Sequence, residues 1–280
     1  MNDRTEIQNV LAPMIRQCLR EFGDYSTKDA TWESFDAATK GALQPDIRRV
    51  SLIVTLAQAA MGADAQGEGL EVGCGYAYLL FAMSVFMPNI HWSAVEHPDR
   101  LYFSRDDFRA ALRKYNCDLK GADLTRERLP FEDGRFGLVT FSETLEHLPV
   151  ERLYFVLGEL ARVTRPGGIL IASSPNQASW ENRLRLLKGK SIFDMPDEMA
   201  TARGVFGHIR LYTQKEFAGA MSRHGFTIER TEMETNISGY RGASDESLRR
   251  RLYQWYERLE ARVRILRPLA DTWYMVLRKR

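Results

Sequence analysis

The stretch "GLEVGCGYAYLL", Gly69 to Leu80, carries Glu71, Gly73, Cys74, Gly75 and Ala77 in an acid-x-Gly-x-Gly-x-small order. Glycines in such a turn let the backbone bend sharply and meet a ligand with no Cβ between them. Glu96, Asp123 and Glu143 each follow another apolar run, so four acids stand where strands are expected to end. Behind the last of them, "SETLEHLP" sets Ser142, Glu143, Glu146 and His147 within six residues. His147 is of the type that moves protons, and Glu146 beside it can orient the ring or bind a substrate. His208 is a second candidate base, because His208, Arg210 and Tyr212 alternate in "GHIRLYT" and would put His208 and Tyr212 on one face of extended chain. Both have plainer readings: "LEH" can pack and cap the next helix, and His208 can bond a neighbouring carbonyl. No metal is expected; Glu143, Glu146 and His147 could coordinate Mg²⁺, but no His and carboxylate spacing compels it.

A phosphate-binding P-loop needs a Lys and then Ser or Thr closing the turn, and "GCGYAYLL" has neither. A dinucleotide fold prefers a third glycine three residues after the second, where this chain has Tyr78. The Tyr-x-x-x-Lys pair of one large dehydrogenase class is also missing.

The elements that must carry these residues begin with a helical stripe, Ile7, Val10, Leu11, Met14, Ile15, Cys18, Leu19 and Phe22, which Gly23 can end. Trp32 and Phe35 follow in a polar stretch, and Pro45 is expected to open a second helix through Val50, Ile53, Val54, Ala57 and Met61. From Gly69 strands and helices alternate: "GLEV", a helix Tyr78 to Phe86, "IHWSAVE", a helix Asp99 to Tyr115, "CDLKGAD", "FGLVTFSE", a helix Pro149 to Val163, and "GILIASS". That order argues an α/β, doubly wound parallel sheet with helices on both faces, whose ligands bind at the carboxyl ends of the strands. After Pro175 the period breaks, and 176–212 is expected to form a lid. "TQKE", Thr213 to Glu216, is a capping box opening a helix that ends before Gly225, and "FTIERTEM" is the next strand. Leu248, Leu252, Trp255, Tyr256, Leu259, Val263 and Leu266 make a helical stripe opposite seven arginines. "TWYMVLRKR" reads as a last strand at the sheet edge. The division expected is 1–64 as a helical cap and 65–280 as the main domain, with a helical insertion at 244–267.

In order and spacing, "LEVGCGYAYL", "AVEHP", "GADLTRERLPFEDGRFGLVTFSETLEHL" and "VTRPGGILIASSPN" resemble the class I S-adenosylmethionine (SAM)-dependent methyltransferases of small-molecule type, from about Gly69 to Phe226. The resemblance implies a Rossmann-like seven-stranded sheet and SAM as cofactor, with S-adenosylhomocysteine as product. It implies that Glu71, Gly73, Cys74 and Gly75 form the turn, with Ala77 where many members carry a third Gly. It further implies that Glu96 meets the ribose hydroxyls with His97 beside it, and that Asp123 accepts the adenine amino group while Leu124 covers the ring. Ser142, Glu143, Glu146 and His147 then face the methyl group and its acceptor, and His208, Arg210 and Tyr212 edge the acceptor pocket. A sulfonium and an ammonium suit a site with several carboxylates and no basic clamp.

Methyl transfer is an in-line displacement in which alignment and exclusion of water supply much of the rate, and an oxygen acceptor also needs its proton removed. Asn176, Trp180, Arg210 and Tyr212 are the expected substrate contacts. A lid mixing Trp180, Phe193 and Phe206 with Arg183, Arg185, Lys188 and Lys190 suits a polar acceptor bearing negative charge. The "SSPN" and "HIRLYT" pieces resemble methyltransferases of bacterial surface-polysaccharide pathways, which implies a saccharide or a nucleotide- or lipid-linked sugar as acceptor. A quinone or polyketide-like phenol is the alternative, as is a non-catalytic SAM-binding regulatory subunit. A dehydrogenase is disfavoured by the missing glycine and Tyr-x-x-x-Lys pair.

The 44% hydrophobic and 27% charged residues describe an ordinary soluble protein, and no apolar run reaches a membrane span's length. Cytoplasmic residence is therefore expected. Cys18, Cys74 and Cys117 are too few and too scattered for a disulfide framework. A net charge of +2 gives no reason to expect nucleic acid. From Leu248 onward, ten Lys and Arg face only Glu257, Glu260 and Asp271, so residues 248–267 can touch the inner face of a membrane, pack on their own domain or form a homodimer.

Overall fold

The computed structural model describes residue 7 and residues 37–75, 77–99, 106–193, 207–235 and 264–280. The rest of the amino-terminal stripe, Trp32 and Phe35, Leu101, Phe206 of the lid and the basic stripe from Leu248 to Val263 lie outside the described residues. In chain order the elements are α1 (Ala37–Met61), β1 (Gly67–Val72), α2 (Tyr78–Phe86), β2 (Ile90–Glu96), α3 (Asp106–Lys114), β3 (Cys117–Gly121) and β4 (Phe136–Ser142). Then come α4 (Leu153–Val163), β5 (Thr164–Pro175), α5 (Trp180–Leu187), α6 (Gln214–Arg223), β6 (Phe226–Glu234) and β7 (Thr272–Lys279).

The strands form one seven-stranded sheet in the order β3-β2-β1-β4-β5-β7-β6. β1 to β5 pair in parallel, and β7 runs antiparallel to both β5 and β6. The expectation of β7 at the edge is therefore corrected: it lies inside, and β6 is the edge. Six successive buried residues in β7 need neighbours on both sides and cover on both faces, whereas β6 is exposed or half-buried at all but its first position and carries the charges that protect a free edge. Pro45 is corrected as well, since α1 starts at Ala37 and the proline forfeits one rung inside the helix instead of opening it.

Alternate residues of the inner strands feed two cores. Leu138, Ile169, Ile171, Tyr274 and Val276 face one, built with Val50, Ile53, Val54 and Ala57 of α1 and Leu80, Phe81 and Met83 of α2. Val139, Phe141, Leu170, Ala172, Met275 and Leu277 face the other, against Val156, Leu157 and Leu160 of α4 and Phe217 and Met221 of α6. The capping box is present, with Thr213 Oγ1 accepting from the Glu216 N–H and Glu216 accepting from the Thr213 N–H.

The long β3–β4 connection is pinned to α4 rather than loose. Glu159 accepts from the Leu129 N–H at 2.9 Å, and Arg162 donates to the Phe131 and Leu129 carbonyls at 2.7 and 2.9 Å. Burial alone would raise the Glu159 carboxyl; the Arg162 guanidinium and the Leu129 N–H outweigh it and hold it below the usual range. This anchoring fixes the stretch that begins with Ala122, Asp123 and Leu124. Within the expected lid, α5 is capped by Ser179 and exposes Leu184, Leu186 and Leu187. No helix among the described residues is long and apolar enough to cross a membrane.

Candidate active site

The glycine turn is fastened to the end of β2. The N–H groups of Gly73 and Cys74 both donate to the Val95 carbonyl, at 2.9 and 3.3 Å. One Glu96 oxygen accepts from the Gly75 N–H at 2.7 Å and the other from the His97 N–H at 2.8 Å. Gly73 and Gly75 adopt φ of 76° and 51°, the left-handed region that glycine enters without cost, and Ala77 at φ 61° starts α2. Cys74 is buried, and desolvation followed by the Glu96 and Glu71 charges pushes its thiol well up. Burial likewise pushes Cys117 up to about 12, so neither is a thiolate nucleophile.

Above this turn, at the carboxyl ends of the parallel strands, lies a cavity of about 430 Å³, a size that accepts a small organic ligand. Gly73, Gly75, Glu96, His97, Asp123 and Leu124 line one end. Glu143, Thr144, His147 and Ile209 line the other. Asp123 accepts from the Thr125 N–H and hydroxyl at 2.8 and 2.6 Å, while its second oxygen lies 3.8 Å from His97 and 3.5 Å from Arg126. Desolvation pulls its carboxyl upward, but those hydrogen bonds, with His97 and Arg126 alongside, leave it below the ordinary value.

The second end is stitched by the two serines that close β5. Ser173 Oγ donates to Glu143 at 2.7 Å and Ser174 Oγ to Glu146 at 3.0 Å; adjacent strand residues point to opposite faces, so each serine holds a different glutamate. Ser142 Oγ lies 2.8 Å from Ser173 Oγ. The Glu146 carbonyl accepts from the N–H groups of Ile209 and Arg210 at 2.8 and 3.2 Å, which brings the "GHIR" segment onto "LEH". His147 and His208 consequently face each other with ring centroids 5.2 Å apart. His147 Nδ1 is 3.3 Å from the Gly207 carbonyl. A carbonyl only accepts, so Nδ1 carries a proton in this contact, which in the neutral ring leaves the lone pair on Nε2. Glu146 is 1% exposed, and its second oxygen, Oε1, has no hydrogen-bond partner among the described residues. Burial, then the Glu143 charge, raise its carboxyl well above the usual range.

Other expected site residues stand off the cavity wall. Asn176 spends its amide on the carbonyls of Pro268 and Ala270 and on the Ala178 N–H. Arg210 pairs with Glu216 at 2.9 Å and lies over the Tyr212 ring, tying both to the start of α6. Trp180 opens α5. Sequence reading missed Thr144, Gly207, Ile209 and the roles of Ser173 and Ser174. Their signal was adjacency to "SETLEH", "SSPN" and "HIRLY", which names the segments without saying which atom meets which.

Glu71 is 4% exposed behind the turn, with one oxygen unbonded. Desolvation raises its carboxyl well above normal; Arg49 opposes this and Glu96 adds to it. The unfolded chain releases this proton near the ordinary carboxyl value while the folded chain keeps it, so stability falls as pH rises above about 4.5, by at most about 1.4 kcal/mol per pH unit. Glu71→Gln, neutral in both states, is expected to lose that slope and to gain in melting temperature over the parent from pH 5 to pH 8. Parallel pH profiles of the two proteins would contradict the assignment.

The family model described as a methyltransferase domain matches residues 46–231. Among solved structures, the PH0226 protein from Pyrococcus horikoshii OT3 superposes with a TM-score of 0.56 at 18% identity, covering 89% of this chain and 98% of that one. The S-adenosylmethionine dependent methyltransferase from Mesorhizobium loti does so at 0.52 and 16%, covering 80% and 96%. The [4+2]-cyclase SpnF also matches, at 0.50 and 15%, covering 98% and 95%. Likeness at such identities shows the class I methyltransferase fold, which a cyclase shares, and leaves the acceptor to the site. Matched by the domain model over more than half of its length, the chain belongs to the methyltransferase domain family.

Proposed function

We propose that this protein is a SAM-dependent methyltransferase acting on a hydroxyl of a small polar acceptor, a saccharide or a nucleotide- or lipid-linked sugar. The observation that carries the reading is the cavity, lined at one end by the glycine turn with Glu96, Asp123 and Leu124 and at the other by Glu143 and His147. The Glu96 oxygens accept from the Gly75 and His97 N–H groups, and a carboxylate oxygen so placed at the strand end suits a ribose hydroxyl as a further donor. Asp123 and Leu124 would hold the adenine, and the open glycine backbone would admit the rest of the nucleoside. SAM when bound supplies an electrophilic methyl on a cationic sulfur, for which three acids on the wall are suited company. Glu143 and His147 then orient the acceptor, and the tautomer set by the Gly207 carbonyl points a lone pair, not a proton, at its hydroxyl. The four cations Arg183, Arg185, Lys188 and Lys190 in and after α5 support an acceptor with negative charge.

Calorimetric titration with SAM, S-adenosylhomocysteine and NAD tests the cofactor, and transfer of radiolabelled methyl to a panel of linked sugars, phenols and quinones tests the acceptor. Binding of NAD alone would sink the reading; SAM binding with phenol turnover would retain the enzyme and replace its acceptor; SAM binding with no turnover would favour a regulatory subunit. Asp123→Ala is expected to weaken SAM by roughly tenfold, about 1.4 kcal/mol, while the Thr125 turn bonds it removes cost about 1 kcal/mol of stability. Unchanged SAM affinity in that variant would remove Asp123 from the nucleoside end.

A further inference from the structure

Behind His147, which lines the acceptor end of the cavity, lies a second arrangement that the methyl-transfer reading does not require. A Glu146 carboxylate oxygen and one ring nitrogen each of His147 and His208 lie within 4.8 Å of one another. Donors about 2.0–2.2 Å from one metal ion at tetrahedral or octahedral angles stand about 3–3.6 Å apart, so side-chain shifts of about 1 Å would let the three share one. We propose that Glu146, His147 and His208 form a binding site for a divalent transition-metal ion, which meets the cavity through His147.

Three independent features point to a cation here. Glu146 Oε1 is buried without a hydrogen-bond partner among the described residues, and a buried carboxylate oxygen in that condition is costly unless a cation or donor meets it. Both neighbours of the cluster are oriented as ligands are. The Gly207 carbonyl takes the His147 Nδ1 proton and so presents Nε2 as a lone pair, while Ser174 holds the other Glu146 oxygen from behind. Lastly, the "GHIR" segment is locked to the Glu146 carbonyl by two backbone N–H donors, so His208 is delivered by main chain and not by a wandering side chain. Two imidazoles with one carboxylate and open positions suit Zn, Fe, Mn or Co in preference to Mg or Ca, whose sites are built of oxygens.

This inference rests on the methyltransferase reading for its role and not for its existence. An acceptor hydroxyl bound to such an ion ionises more readily. Its proton leaves to solvent, its oxygen forms the bond to the methyl carbon as the carbon–sulfur bond breaks, and S-adenosylhomocysteine departs with neutral sulfur. Sugars with neighbouring hydroxyls can offer two oxygens to the open positions, and a monophenol only one.

The test uses the full tag-free chain, stripped with a chelator and titrated with Co²⁺ and Zn²⁺ by visible absorption and calorimetry. One ion per chain is expected, with affinity falling at least tenfold in His208→Ala and in Glu146→Gln and unchanged in His91→Ala. Circular dichroism confirms that each variant is folded, and His208→Ala stands by itself if the buried Glu146 change is not tolerated. Absence of stoichiometric uptake by the parent protein, or equal affinity in folded His208→Ala, overturns the site. SAM titration of the same stripped protein separates the two ideas: intact SAM binding without metal uptake defeats the metal alone, whereas metal uptake without SAM binding defeats the methyltransferase reading.

Discussion

Gly73→Ala is expected to lower the melting temperature by roughly 10 °C and to remove SAM binding. A Cβ on Gly73 would lie 2.4 Å from Thr144 Oγ1 and 2.7 Å from its Cγ2, far inside contact distance. Thr144 cannot swing away cheaply. It is branched at Cβ and buried, and its hydroxyl donates toward the carbonyls of Ser142 at 3.0 Å and Val72 at 3.4 Å. Overpacking of this kind costs about 1–3 kcal/mol, and a side chain at φ 76° adds about 1–2 kcal/mol more. For a chain of this size each kcal/mol moves the melting temperature by about 2–4 °C. Gly75→Ala provides the contrast. Its φ is 51° but its Cβ would meet no atom of the described residues within 4 Å, so the cost to the fold is about 1 kcal/mol of strain. Gly75 nevertheless lines the cavity, and the added methyl is expected to reduce SAM affinity about a hundredfold with little loss of stability. Thr144→Ala combined with Gly73→Ala should recover the overpacking portion and leave the φ strain, a coupling that a double-mutant cycle reads directly. Equal melting temperatures for the two glycine variants would show that Thr144 is not what Gly73 accommodates.

That pair of glycines marks the boundary of what the chain discloses by itself. The acid-x-Gly-x-Gly order names the turn, and the strand alternation names the sheet, because both depend on neighbours in sequence. The helix at Tyr78 to Phe86 and the capping box at Thr213 could be read for the same reason. The partner of Gly73 is Thr144, which reaches it only through the pairing of β1 with β4; no local pattern encodes that contact. The edge assignment of β7 failed similarly. Its last residues, Arg278, Lys279 and Arg280, look like an edge, yet Arg278 pairs with Glu229 of β6, and Lys279 donates to the Ala161 and Thr164 carbonyls. At the site, "LEH" and "GHIR" were each recognisable as candidate chemistry. What joins them is the Glu146 carbonyl accepting two main-chain donors, an interaction that leaves no trace in residue type. Asn176 shows the opposite hazard, a polar residue beside the site whose hydrogen bonds hold the 268–270 backbone.

His147→Ala should reduce turnover by about 10²–10⁴ while SAM affinity stays within about twofold. The asymmetry follows from position: His147 lines the end of the cavity opposite Glu96 and Asp123, so the nucleoside contacts survive its loss. Losing the imidazole also removes a long hydrogen bond to the Gly207 carbonyl, worth about 1 kcal/mol. The companion variant decides what the lone pair does. Should His147 serve only by taking a proton, His208→Ala leaves turnover nearly unchanged, and added imidazole restores part of the activity of His147→Ala through solvent. Should the pair hold a metal ion with Glu146, His208→Ala falls by a similar factor, excess Zn²⁺ or Mn²⁺ partly restores it, and chelator abolishes parent turnover without displacing SAM. The cluster geometry, with donor atoms of all three residues inside 4.8 Å, favours the second pattern. Full turnover in both histidine variants would place the acceptor's proton in the care of solvent and leave alignment alone to supply the rate.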